Sequence, residues 1–149
     1  MSGSVRGTWF DSREPVMFQR DYISRIIEEM SDIPARVMDS RLSGKVERAW
    51  EQIHAFYATY PKFKPPHLLD LTPAEILGSF APGNILELEP VAALLCEEGE
   101  LLLLQDKKEA FRRWKKALEY LDFVNEHDSQ TYSGERVERI RVLKEKLCG

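Results

Sequence analysis

Two helical patterns run back to back between Pro90 and Val124, and they constrain this chain more than any other stretch. In the second, Ala110, Trp114, Ala117, Leu118 and Leu121 recur every three or four residues, which puts them on one stripe of an α-helix. In the first, Leu95 and Gly99 stand one helical turn apart. The polar turn Gln105-Asp106-Lys107-Lys108 between them is short enough to force an antiparallel hairpin. Small residues at Gly99, Ala110 and Ala117 let the two backbones approach closely, and Trp114 fills the angle between them. Such a hairpin has an apolar side that other elements must cover. With 149 residues the chain can supply them as a single domain, burying roughly 68–70% of its unfolded surface.

The covering elements are legible in order. Residues 1–16 hold Gly, Ser, Arg and Pro without periodicity and read as a mobile N-terminal extension, in which Trp9 and Phe10 alone could dock. From Phe18, with Asp21 as a cap, Tyr22, Ile23, Ile26, Ile27, Met30, Ile33, Val37 and Met38 describe a first helix. Pro34 inside it predicts a kink or break near Met30–Ile33, and Ser43-Gly44 punctuates the chain. A second helix follows, with Val46, Ala49, Trp50, Ile53, Phe56, Tyr57 and Tyr60 on one face and Pro61 as its stop. Tyr60–Pro66 reads as an extended connection stiffened by three prolines. Leu71-Thr72-Pro73-Ala74-Glu75-Ile76 predicts a capping box with its hydrophobic staple, opening a third helix that ends near Phe80. The hairpin helices are expected over about Pro90–Gln105 and Lys107–Val124. After a polar loop, Ser133 caps a last helix with Val137, Ile140, Leu143 and Leu147 inward. No strand-like alternation appears between these segments. The expected fold is a compact all-α bundle of about six helices over 17–149, with the hairpin 90–124 inside it.

Hydrophobic residues at 43% and charged residues at 31% are the proportions of a folded chain rather than a disordered one. A net charge of −4 offers no global attraction to nucleic acid or to an acidic membrane. The densest apolar run, Leu101–Leu104, falls far short of the ~18 residues that span a bilayer. No apolar core follows the first residues, and Cys96 and Cys148 form neither a CxxC pair nor a disulfide framework. The expected location is the cytoplasm.

Catalytic chemistry has little to stand on. Glu51-x-x-His54 has the spacing of a di-metal carboxylate site, but such a site needs a second copy and two further carboxylates, and the chain holds no second copy. Glu126-His127-Asp128 clusters potential ligands whose side chains diverge on a loop, and His67 follows Pro65-Pro66 without a nucleophile nearby. Cys96 reads as a small core residue of the fourth helix. There is no phosphate-cradling glycine loop and no Gly-x-Ser-x-Gly. The expectation is a non-enzyme with no metal and no cofactor.

Charge patterning says more. Lys107, Lys108, Arg112, Arg113, Lys115 and Lys116 make the fifth helix basic, while Glu87, Glu89, Glu97, Glu98 and Glu100 make the fourth acidic. The simpler reading pairs these faces across the hairpin; the functional one is a basic strip for RNA, DNA or an acidic protein partner. The aromatic load of Trp9, Phe10, Trp50, Phe56, Tyr57, Tyr60 and Phe63 points to protein binding or self-association as a homodimer. Trp50, Tyr57, Arg112, Arg113 and Lys116 are the interaction candidates, in a helical protein–protein interaction module of unknown pathway.

Two segments carry a resemblance. The opening Phe18-Gln19-Arg20-Asp21-Tyr22-Ile23-Ser24-Arg25-Ile26-Ile27-Glu28-Glu29, with the later Trp114-Lys115-Lys116-Ala117-Leu118-Glu119-Tyr120, resembles an uncharacterised bacterial, Firmicutes-type family with a domain of unknown function. Its members pair an N-terminal Asp-Tyr-Ile helix with a tetratricopeptide-like segment. The resemblance implies a helical fold over about Met17–Leu147 and a start at Met17, and it supplies no activity. The hairpin departs from the tetratricopeptide pattern in having Asp106 where glycine is expected, and no second copy stands about 34 residues away.

Overall fold

The computed structural model describes residues 13–65, 68–78, 84–128 and 133–148, without the side chains of 13–21 and 23. Trp9, Phe10 and His67 therefore lie outside the described residues, as do the expected ends of the third helix and of the loop before the last one. The fold is all-α. Among the described residues the helices are α1 (Arg13–Leu42), α2 (Val46–Thr59), α3 (Pro73–Gly78), α4 (Leu88–Leu102), α5 (Lys107–His127) and α6 (Gly134–Cys148). Short 3₁₀ turns at Pro61–Phe63, Leu68–Asp70 and Ile85–Glu87 link them.

The α4–α5 hairpin is the most extensive helix contact; α1 packs on both α2 and α4, and α6 closes over α5. The middle of α4 is therefore surrounded, and Leu88, Val91, Ala92, Leu94 and Leu95 are fully buried. Their burial together removes enough apolar surface to make α4 the centre of the core. Asp106 stands where a glycine was expected because it caps α5: its Oδ1 accepts from the Glu109 amide at 3.2 Å. The capping box before α3 forms in both directions, Glu75 N–H donating to Thr72 Oγ1 at 3.1 Å and Thr72 N–H to Glu75 Oε1 at 2.8 Å. Ser133 caps α6 by accepting from the Arg136 amide at 3.1 Å. At the α1–α2 turn Gly44 adopts φ 78°, a left-handed conformation that glycine takes without a Cβ penalty.

Three local expectations are corrected. The helix begins at Arg13, so residues 13–16 belong to α1 rather than to an extension, and Asp21 is inside it rather than at its cap. Pro34 neither ends nor interrupts α1, which continues to Leu42. Pro34 is buried and borders the surface shared with α4, so tertiary packing outweighs the lost backbone bond. The proline-rich connection is not simply extended: Pro61–Phe63 curls into a 3₁₀ turn, with Phe63 N–H donating to the Tyr60 carbonyl at 3.1 Å. That turn delivers the Phe63 ring to full burial, 6.5 Å from the ring of Phe56.

Candidate functional site

The acidic residues of α4 and the turn before it are internal tie points, each held by a cation from elsewhere. Arg41 of α1 reaches Glu97 at 2.7 Å, Lys62 reaches Glu87 at 2.9 Å, and Arg136 of α6 reaches Glu89 at 3.0 Å. Lys146 of α6 pairs with Glu100, and Arg113 of α5 crosses the hairpin to Glu98 at 2.8 Å. The expectation that the acidic α4 and the basic α5 pair across the hairpin thus holds for Arg113 and Glu98, whereas the other carboxylates here go to α1, α6 and Lys62. A helix buried on all sides meets several neighbours, and its carboxylates are distributed among them. Arg136, only 3% exposed, also donates to Asn125 Oδ1 at 2.7 Å, which fixes α6 against α5.

Glu98 is the deepest of these groups. Its side chain is 2% exposed and accepts from Arg113 Nε and from the Tyr57 hydroxyl, so α2, α4 and α5 meet at one carboxylate. Burial pushes the Glu98 carboxyl above the usual carboxylate range, against the lowering effect of its hydrogen bonds to Tyr57 and Arg113. Burial, and then the neighbouring Glu98 charge, raise the Tyr57 phenol well above its ordinary value. Tyr57 is therefore corrected as a surface candidate: the aromatic period of α2 points it inward. Phe56 and Phe63 are buried too, and Phe56 packs edge-on to Tyr57 with centroids 5.6 Å apart. Most of the described aromatic load that suggested self-association is thus core.

The other candidates separate by exposure. Trp50 is half-buried, its ring 6.1 Å from that of His54, and His54 and Glu51 face solvent. Arg113 is engaged with Glu98 and, at 2.7 Å, with Glu109. Lys116 lays its stem against the body and donates to the Leu71 carbonyl at 2.9 Å. Arg112 is exposed and only loosely paired, at 3.4 Å from Asp70 and 3.6 Å from Glu109. Burial pushes the Cys96 thiol up to about 11, which disfavours the reactive thiolate. His127 Nδ1 donates to the Phe123 carbonyl at 2.9 Å, with its ring stacked on Phe123. Among the described residues no group of three or more His, Cys, Asp or Glu is placed to hold a metal ion, and no helix is long and apolar enough to cross a membrane.

Sequence reasoning missed a groove on the outer side of α5. Phe111 and Leu118 of α5, Leu147 of α6 and Leu69 of the Leu68–Asp70 turn form its apolar lining, with Arg112 and Lys115 on its rim. Leu147 and Leu69 are distant in sequence, and only tertiary packing brings them beside α5. Phe111 is held in place by the Trp114 ring, with centroids 5.4 Å apart. The groove is open to solvent rather than enclosed. Compared with known proteins, the chain matches no family model, no curated protein and no solved structure.

Proposed function

We propose that this chain is a non-enzymatic helical module that binds protein through the outer face of α5. The observation that carries this reading is the Phe111–Leu118–Leu147 groove, whose apolar lining is reachable from solvent and is edged by charged side chains. Apolar contact would supply most of the affinity, and the charged rim would set orientation and encounter rate. The partly buried ion pairs that tie α1, α5 and α6 to α4 hold the surface in place, which limits the ordering cost of binding. A basic strip for nucleic acid is the weaker reading, because Glu119 and Asp122 continue along the same helix face and would repel phosphates.

A displayed library of short random peptides tests this directly. Peptides selected on the wild-type chain are expected to lose at least about tenfold in affinity on Phe111→Asp or Leu118→Asp, because a charge there must be desolvated under the ligand. Circular dichroism would verify that each variant keeps its helices. Enriched peptides that ignore both substitutions, or an empty selection on a chain that is monomeric in solution, would mean that the α5 face is not a protein-binding surface.

A further inference from the structure

The charged row of α5, exposed except for half-buried Asp122, has a symmetry that identifies its occupant. Lys108, Arg112, Lys115, Glu119, Asp122 and Glu126 follow one another at intervals of four and three residues, so they share one helix face. The N-terminal half of the row is basic and the C-terminal half acidic. It is also symmetric about Ala117: Lys115 stands as far before it as Glu119 after, and Arg112 with Asp122 and Lys108 with Glu126 repeat the relation. Read in the opposite direction, the row is its own electrostatic complement. We propose that α5 is the seam of a homodimer, in which a second copy of this chain lays its α5 antiparallel to the first across a two-fold axis near Ala117. This rests on the reading of the α5 face as a protein-binding surface and names its occupant.

An isologous contact requires a surface that complements itself, and this row does. In the antiparallel arrangement each basic half faces the other copy's acidic half, at the ~8–10 Å interaxial distance over which long side chains pair. A two-fold pair also sets each helix flank beside the same flank of its mate. Phe111 and Leu118 of both copies then form one apolar strip along the seam, covering the groove described above. A uniformly acidic peptide or a nucleic acid would satisfy only the first half of the row and be repelled by the second. The contacts already made by the row are weak enough to rearrange: Arg112 and Asp70 are 47% and 70% exposed at 3.4 Å, a geometry worth ~0–1 kcal/mol. No ion pair engages Lys108, Lys115, Asp122 or Glu126 among the described residues; Glu119 pairs with Lys116 at 2.9 Å, itself 43% exposed.

The experiment uses two full-length double variants. Arg112→Glu with Lys115→Glu makes the row acidic, and Glu119→Lys with Asp122→Lys makes it basic. Sedimentation velocity at low salt should show each variant alone dimerising at least about tenfold more weakly than the wild type, since like charges now face each other. Mixed in equal amounts they should recover a one-to-one dimer, a result that generic misfolding cannot produce; circular dichroism confirms that each is helical. Failure of the mixture to recombine overturns the proposal. So does a monomeric wild type that still binds groove-dependent displayed peptides; in that case the protein-binding reading survives and its occupant is another protein.

Discussion

Gly99→Val should destabilise the chain by about 3 kcal/mol or more, the upper end of what overpacking a close-packed interior costs. A Cβ at Gly99 would fall within the Trp114 indole, 2.6 Å from Cδ1 and 2.7 Å from Cε2. The indole has little room to withdraw. It is 3% exposed, lies between α4 and α5, and donates from Nε1 to the Cys96 carbonyl at 3.2 Å. Moving it would push the hairpin helices apart at the point where Ala110 and Ala117 hold them close, both fully buried. Gly99→Ala should cost less, since the gain of up to ~1 kcal/mol in helix propensity offsets part of the clash. Denaturant unfolding of the single variants and of Gly99→Val combined with Trp114→Leu measures the coupling. The double variant should recover part of the loss, whereas additive effects would mean that the two residues do not share the space.

Glu98→Ala is expected to cost on the order of 3 kcal/mol, because it strands two groups ordered around one buried carboxylate. The Tyr57 hydroxyl would lose its acceptor while remaining 6% exposed, and Arg113 would keep only Glu109. Glu98→Gln preserves shape and separates charge from packing. Because burial raises the folded-state value above 4.5, the native state holds the Glu98 proton more tightly than the unfolded chain does. The contribution of Glu98 is therefore fullest below pH 4.5 and declines as pH rises through the folded-state value. Measured by urea unfolding, the wild type should gain stability relative to Glu98→Gln as pH is lowered from about 7 toward 4.5. The opposite slope would mean that attraction to Arg113 outweighs burial at this site.

What could be read before the structure was local. The capping box at Thr72, the Ser133 cap and the apolar stripe through Trp114 depend on residues within a few positions of one another, and each forms as its spacing predicts. Pro34 shows the limit of local rules, since burial beside α4 keeps α1 helical through a residue that would break it in isolation. Tyr57 shows a second limit: periodicity placed it on an apolar stripe but could not say whether that stripe met the core or a partner. The destinations of the α4 carboxylates were equally hidden, because Arg41, Lys62, Arg136 and Lys146 are far away in sequence. The groove was illegible for the same reason, as Leu69 and Leu147 reach it only through the fold. By contrast, the row from Lys108 to Glu126 is legible in the sequence as one helix face. Its basic first half, taken alone, is a cationic strip; the acidic half that follows changes its electrostatic character.

The two halves of the molecule divide the electrostatic labour. Carboxylates on α4 are taken up internally by Arg41, Arg113, Arg136 and Lys146, whereas the α5 row from Lys108 to Glu126, apart from half-buried Asp122, faces solvent. The measurement that bears most directly on this division is the solution mass of the unmodified chain by sedimentation, from about 1 to about 300 µM, at ionic strengths near 0.02 M and 0.5 M. The expected result is a rise with concentration from 17.3 kDa toward twice that value at low salt, reversed by high salt. A mass of 17.3 kDa at every concentration and both ionic strengths, or a dimer indifferent to salt, would contradict a charged α5 seam between two copies.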